Sequence, residues 1–156
     1  MAALLAGFSA GSVASEVDAR EVFAVAAAGG MTFTGSRVVE DVSLVFLHFT
    51  SDGRASLISE LERTAIVSEV VNKRLAVRGD MPASAVQVRR RAGTDGLDEY
   101  DMSGDMKLQW SKCTDVGCVP SGTPKAVKVS GVVVQSVING RPAYRVRSVR
   151  YEGGRP

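Results

Sequence analysis

The sequence has few of the residues that carry metal or nucleophilic chemistry. Its 156 residues include one histidine, His48, and two cysteines, Cys113 and Cys118. Structural zinc needs about four sulfur or nitrogen ligands, which one copy of the chain does not hold. The sequence also lacks a glycine-rich phosphate loop, an HExxH, a GxSxG and a calcium-binding loop of acids. We therefore predict a protein that is not an enzyme, with no cofactor, no metal and no identified small-molecule substrate.

Long apolar runs and a large net charge are missing as well. No stretch reaches the roughly 18 to 20 apolar residues of a membrane span, and the formal net charge is only +2. The apolar amino terminus lacks the positive start of an export signal, because the first basic residue is Arg20. We predict a soluble single domain over residues 1–156, in which residues 1–14 form a flexible or docking arm.

The first half of the chain favours helices around one apolar strand. Helical spacing over residues 15–28, followed by two glycines, predicts a short helix. The run VSLVFLHFT, residues 42–50, has the composition of a strand buried on both faces, and the Asp52-Gly53 pair after it favours a tight reversal. Residues 55–79 fit a helix that ends near Gly79, with Ser59 and Glu62 as a capping box; the alternative leaves residues 65–71 as a strand.

The second half of the chain favours strands. Residues 85–91 and 106–112 are strand candidates, whereas residues 79–84 and the acid-bearing residues 92–105 have the composition of loops. Asn139-Gly140 between two β-branched runs predicts a hairpin in which Ile138 pairs with Arg141. The expected fold is α+β, with one or two helices packed on a largely antiparallel sheet that ends in a C-terminal β-hairpin.

Basic residues are concentrated towards the carboxyl terminus, where Tyr144 and Tyr151 are the only aromatic residues. Arginine suits phosphate oxygens, so a strand that bears arginines could follow a nucleic-acid backbone. The alternative is that these residues are solvated, contact another subunit, or are neutralised by the acids of residues 95–105. The candidate residues for binding a partner or a nucleic acid are Arg89, Arg90, Arg91, Lys125, Lys128, Arg141, Arg145, Arg147 and Arg150.

The two cysteines enclose a short segment with turn chemistry. The four residues between Cys113 and Cys118 can bring the two ends close enough for a disulfide. A disulfide and two free thiols are both compatible with the sequence, and the redox compartment decides between them.

Two further features have simple structural interpretations. The tripeptide Arg78-Gly79-Asp80 is an integrin-recognition motif when it lies on an exposed loop, but here we interpret it as a chance match. His48 lies in the most apolar segment and is interpreted as a core histidine.

These features favour a non-enzymatic assembly or binding module, with its own or other protein subunits as partners. A subunit of a viral or phage particle is the leading interpretation, located in a virion or in the cytoplasm. The alternative is an accessory protein that binds RNA or DNA through residues 89–91 and the C-terminal hairpin. The sequence does not identify the partner.

Overall fold

This computed structural model describes residues 10–154 of the chain, except for the side chains of residues 10–14 and of Asp95. The described residues contain four α-helices and seven strands. The helices are α1 (Ala10–Gly30), α2 (Val38–Val45), α3 (Ser51–Thr64) and α4 (Ile66–Asn72). The strands are β1 (Phe33–Thr34), β2 (Leu75–Asp80), β3 (Val86–Ala92), β4 (Asp98–Thr114), β5 (Gly117–Pro120), β6 (Lys125–Ile138) and β7 (Arg141–Gly153). The helices pack on a curled antiparallel sheet, which confirms the predicted α+β class.

Strand β4 organises the sheet because it has neighbours along both sides. The strand order is β1-β2-β4-β6-β7, while β3 and β5 also pair with β4. The side chains of β4 alternate, as expected for a strand with one buried face: Met106, Leu108 and Trp110 are buried, whereas Lys107 is exposed. The polar sheet face opposite this buried one is called the outer face below.

The core lies between the helices and the buried face of the sheet. Helix α1 contributes mainly small side chains, with Ala19, Ala26 and Ala27 almost inaccessible, so its backbone can approach the strands closely. Phe23 of α1 and Leu57 of α3 add bulk to the same cluster. The predicted helix over residues 15–28 lies within α1. The predicted arm covers residues 1–9, which lie outside the described residues, and residues 10–14, which belong to α1.

The interpretation of residues 42–50 as a doubly buried strand is wrong. Most of this segment is α2 and a 3-10 turn, Phe46–His48, and only Phe49 forms an isolated bridge, to Val146. Leu44 and Leu47 are 68% and 64% exposed. The prediction assumed that apolar side chains are buried, and these are not.

Several boundaries in the middle of the chain also differ from prediction. Residues 51–54 begin α3, with Thr50 as its N-cap, so they form neither a reversal nor a separate turn, and Ser59 lies inside the helix rather than at a cap. The helix is interrupted at Ala65, which has a positive φ of 56°, but residues 66–72 remain helical and residues 75–80 form β2. Residues 98–105, predicted as loop, belong to β4.

The C-terminal hairpin agrees with its predicted register. Ile138 pairs with Arg141 and Val137 with Pro142, and the turn residues Asn139 and Gly140 both have positive φ. This is the conformation that an Asn-Gly turn favours. A bulge between Val132 and Val133 then shifts the pairing by one residue, which the sequence did not indicate.

Candidate partner-binding surface

Two acids of β4 neutralise much of the predicted basic cluster. On the outer face, Arg89 is 3.1 Å from Asp101, and Arg91 is 3.1 Å from Glu99. Arg147 of β7 donates two hydrogen bonds to the Glu99 carboxylate, at 2.5 and 3.0 Å. These contacts follow from the register, in which Arg89 lies opposite Asp101 and Arg91 opposite Glu99. The alternative in which the acids neutralise the basic residues within one molecule describes this face.

The electrostatics of Glu99 reflect this arrangement. The hydrogen bonds from Arg147 hold the pKa of its carboxyl group below the usual range, and partial desolvation opposes the effect. Glu99 is therefore a stable anion between Arg91 and Arg147. Glu99 and these two arginines form a structural ion pair. This arrangement does not support binding of a nucleic-acid backbone to Arg91 and Arg147, because Glu99 already occupies them.

The three consecutive arginines do not form one patch. Because strand side chains alternate between faces, Arg90 lies on the opposite side from Arg89 and Arg91, and pairs with Asp98 at 2.8 Å. Arg150 pairs instead with Glu152, at 3.2 Å. Of the nine candidate residues, the structure brings together Arg89, Arg91 and Arg147 through their shared acids.

The remaining candidates are spread along the two long strands. Lys125 and Lys128 are exposed on β6, near the end of the sheet that lies away from the hairpin turn. Arg141 follows the turn and is exposed, while Arg145 is half-buried opposite Val134. A continuous basic strip along the hairpin is therefore not what the structure presents.

Cys113 and Cys118 form a disulfide across the β4–β5 hairpin, with their Cα atoms 4.0 Å apart. A bonded pair does not supply the thiolate that a nucleophile or a metal ligand needs. Within residues 10–154, no group of three or more His, Cys, Asp or Glu side chains could hold a metal ion.

Neither His48 nor the tripeptide Arg78-Gly79-Asp80 lies in an environment that indicates a functional site. His48 ends a 3-10 turn and is only half-buried, so the prediction of a core histidine is wrong. Arg78-Gly79-Asp80 lies in β2, paired with residues 107–109 of β4, and the N–H of Gly79 donates to Thr32 Oγ1 at 3.1 Å. Arg78 and Asp80 are exposed, but the extended backbone paired with β4 does not display this tripeptide as an exposed loop would.

Sequence reasoning missed a cavity beneath the break between α3 and α4. It has a volume of about 260 Å³, and its walls include Leu108, Trp110 and Val127 of the sheet and Ile66 of α4. At its rim Glu69 and Lys73 form an ion pair at 2.6 Å. The positive φ of Ala65 creates the break, at the residue where the alternative sequence interpretation began a new element, but the sequence did not indicate the cavity beneath it.

The whole fold resembles several solved structures, two of which are periplasmic domains. No protein-family model and no curated protein matches the sequence. Among solved structures, the chain is similar to a periplasmic fragment of TraM (TM-score 0.68, 12% identity), with 87% of this chain and 96% of that one covered.

Two further structures share the same fold. One is the periplasmic domain of DotI (TM-score 0.65, 12% identity), with 95% of this chain and 98% of that one covered. The other is CagV, described as a VirB8 homolog of a type IV secretion system from Helicobacter pylori (TM-score 0.57, 6% identity), with 89% and 98% covered. At these identities the similarity shows a common fold.

Proposed function

We propose that this chain is a non-enzymatic structural subunit of a type IV secretion system, working in the periplasm or an equivalent compartment outside the cytoplasm. One observation carries the proposal: nearly the full length of the TraM, DotI and CagV domains superposes on most of this chain. The TraM and DotI domains are periplasmic, and CagV is a VirB8 homolog of a type IV secretion system. We propose that its partners are proteins rather than RNA or DNA, and the same comparison supports this.

The disulfide supports the proposed compartment. Disulfides persist in oxidising environments such as the bacterial periplasm and are rare in the cytosol, and Cys113 and Cys118 are bonded. A disulfide agrees poorly with a location in the cytoplasm. The similar structures support a secretion system rather than a viral or phage particle. Within residues 10–154 no helix is long and apolar enough to cross a membrane.

Gene deletion in the native host tests the proposal. We expect that deletion lowers transfer of the secretion substrate at least tenfold, and that the wild-type gene supplied in trans restores it. A variant with both cysteines replaced by serine is the matched control for the compartment. The wild-type protein, alkylated before lysis, should show no more reactive thiol than this variant, which has no cysteine; two reactive thiols in the wild type would contradict the proposed compartment. Unchanged transfer in the deletion strain would refute the secretion function.

A further inference from the structure

The edge of β7 that has no neighbouring strand is covered by side chains of α3 and by Thr50, the residue before α3. Ser56 Oγ donates to the Val149 carbonyl oxygen and accepts from the Val149 N–H, both at 3.1 Å. Four residues later, Glu60 accepts from the Tyr151 N–H at 2.9 Å. The Thr50 N–H donates to the Val146 carbonyl oxygen at 2.9 Å. Another strand cannot add here without displacing α3.

Strand β3 has an open edge by contrast. It pairs with β4 along all seven of its residues, Val86–Ala92, and within residues 10–154 no strand lies on its other side. The Val86 N–H donates to the Ala83 carbonyl oxygen and so points away from β4. Because main-chain groups alternate in direction along an antiparallel strand, Val88 and Arg90 present their N–H and C=O groups to the same side. The β3 edge, as we call it, can therefore accept an added strand.

The charge of the β3 edge indicates what kind of strand fits. On the outer face, Arg89 and Arg91 of β3 and Arg147 of β7 share two carboxylates, Glu99 and Asp101, which leaves one positive charge in excess among these five side chains. The side chain of Arg89 is 82% exposed although it contacts Asp101. An incoming strand with acidic side chains would meet guanidinium groups that can form further hydrogen bonds.

Two occupants from this protein fit the β3 edge poorly. Two copies of β3 paired about a two-fold axis would bring Arg89, Arg90 and Arg91 of one against those of the other, and like charges on adjacent strands are destabilising. Residues 1–9 of the chain contain no acid at all. Neither supplies the negative charge that complements the arginines.

We propose that the β3 edge is a docking site for an extended, acidic segment of another protein, which adds to the sheet beside β3. Main-chain hydrogen bonds to Val88 and Arg90 would supply affinity, and carboxylates next to Arg89 and Arg91 would supply selectivity. The proposal rests on the sheet edge and its charges and does not depend on a role in secretion.

A pair of synthetic peptides tests this site. One alternates glutamate with valine over seven residues, and the other replaces each glutamate by lysine. We expect the acidic peptide to bind at least tenfold more tightly at low salt, and to slow amide hydrogen exchange at Val88 and Arg90. Equal binding of the two peptides, or unchanged exchange at these amides with millimolar acidic peptide, would overturn the proposal.

Variants separate the main-chain contribution from the charge. Val88→Pro removes an N–H that faces the open edge and leaves the ladder to β4 in place, so binding of the acidic peptide should fall at least tenfold. Arg89→Gln keeps the strand and should weaken binding several-fold, with a shallower salt dependence. Arg145→Gln, on the outer face but away from β3, is the matched control and should leave binding unchanged. Loss of binding in the control alone would place the site elsewhere.

Discussion

At the scale of single residues, Glu60 of α3 is a charged residue buried against β7. Its side chain is 12% exposed and accepts two hydrogen bonds from Arg63, at 2.9 and 2.7 Å, in addition to the one from the Tyr151 N–H. Arg63 in turn donates to the Tyr151 carbonyl oxygen at 2.5 Å. The two side chains therefore replace the strand that β7 lacks on this side.

We predict that Glu60→Ala lowers the free energy of unfolding by about 2 kcal/mol, because it leaves the buried Tyr151 N–H without an acceptor and Arg63 without its carboxylate. Urea unfolding at neutral pH measures the loss. The exposed Glu62 on the same helix is the control: Glu62→Ala should change stability by less than about 0.5 kcal/mol. Equal effects of the two substitutions would show that the Glu60 contacts do not stabilise the protein.

The pH dependence of this contribution has a defined sign. Hydrogen bonds from Arg63 hold the pKa of Glu60 below its usual value, against desolvation, which raises it. A carboxyl group with a lowered pKa stabilises the folded state above its unfolded pKa of about 4.3, and loses this contribution as the pH falls through the folded value. Glu60→Gln should therefore flatten the loss of stability below about pH 4. A slope identical to that of the wild type would contradict this assignment.

At the scale of elements, the start of α3 shows that the pair Asp52-Gly53 is compatible both with a turn and with the first turn of a helix. Asp52-Gly53 is also a common turn pair, and the sequence prediction used it so. In the structure Thr50 caps α3 by accepting from the Gly53 N–H at 3.0 Å, and a Cβ on Gly53 would overlap the Val146 carbonyl oxygen. Glycine is required here by the close approach of α3 to β7.

We predict that Gly53→Ala destabilises the protein by about 2 to 3 kcal/mol, since the new methyl group must push α3 away from β7. An alanine in a free helix would instead be favourable, so the sign of the change distinguishes the two environments. Thermal unfolding measures it, with Ser59→Ala at an exposed position of α3 as the control. A stabilised Gly53→Ala variant would mean that the helix does not lie against Val146.

At the scale of the whole molecule, the buried side chains form one cluster that draws on α1, α3, α4 and the sheet. We propose on this basis that the chain unfolds as a single domain. The unique Trp110 is buried on β4 and donates from Nε1 to the Gly154 carbonyl oxygen at 3.2 Å, so its fluorescence reports on the sheet. Far-ultraviolet circular dichroism reports mainly on the helices.

We predict that the two signals give the same denaturant midpoint, as expected for one cooperative transition. The comparison needs no substitution and uses the oxidised protein, in which the Cys113–Cys118 bond is intact. Two separate midpoints would show that the helices and the sheet unfold independently, and would refute the single-domain proposal.

The sequence by itself determined the features that depend on neighbouring residues. Asn139-Gly140 specified the turn and its register, and alternation over residues 106–112 specified which side chains of β4 are buried, because both follow from local backbone conformation and the two-residue period of a strand. Tertiary structure alone decided that Glu99 and Asp101 meet the arginines, and that the apolar segment before Phe49 is a partly exposed helix. These depend on which strands become neighbours and on what the fold leaves uncovered, and no local pattern encodes either.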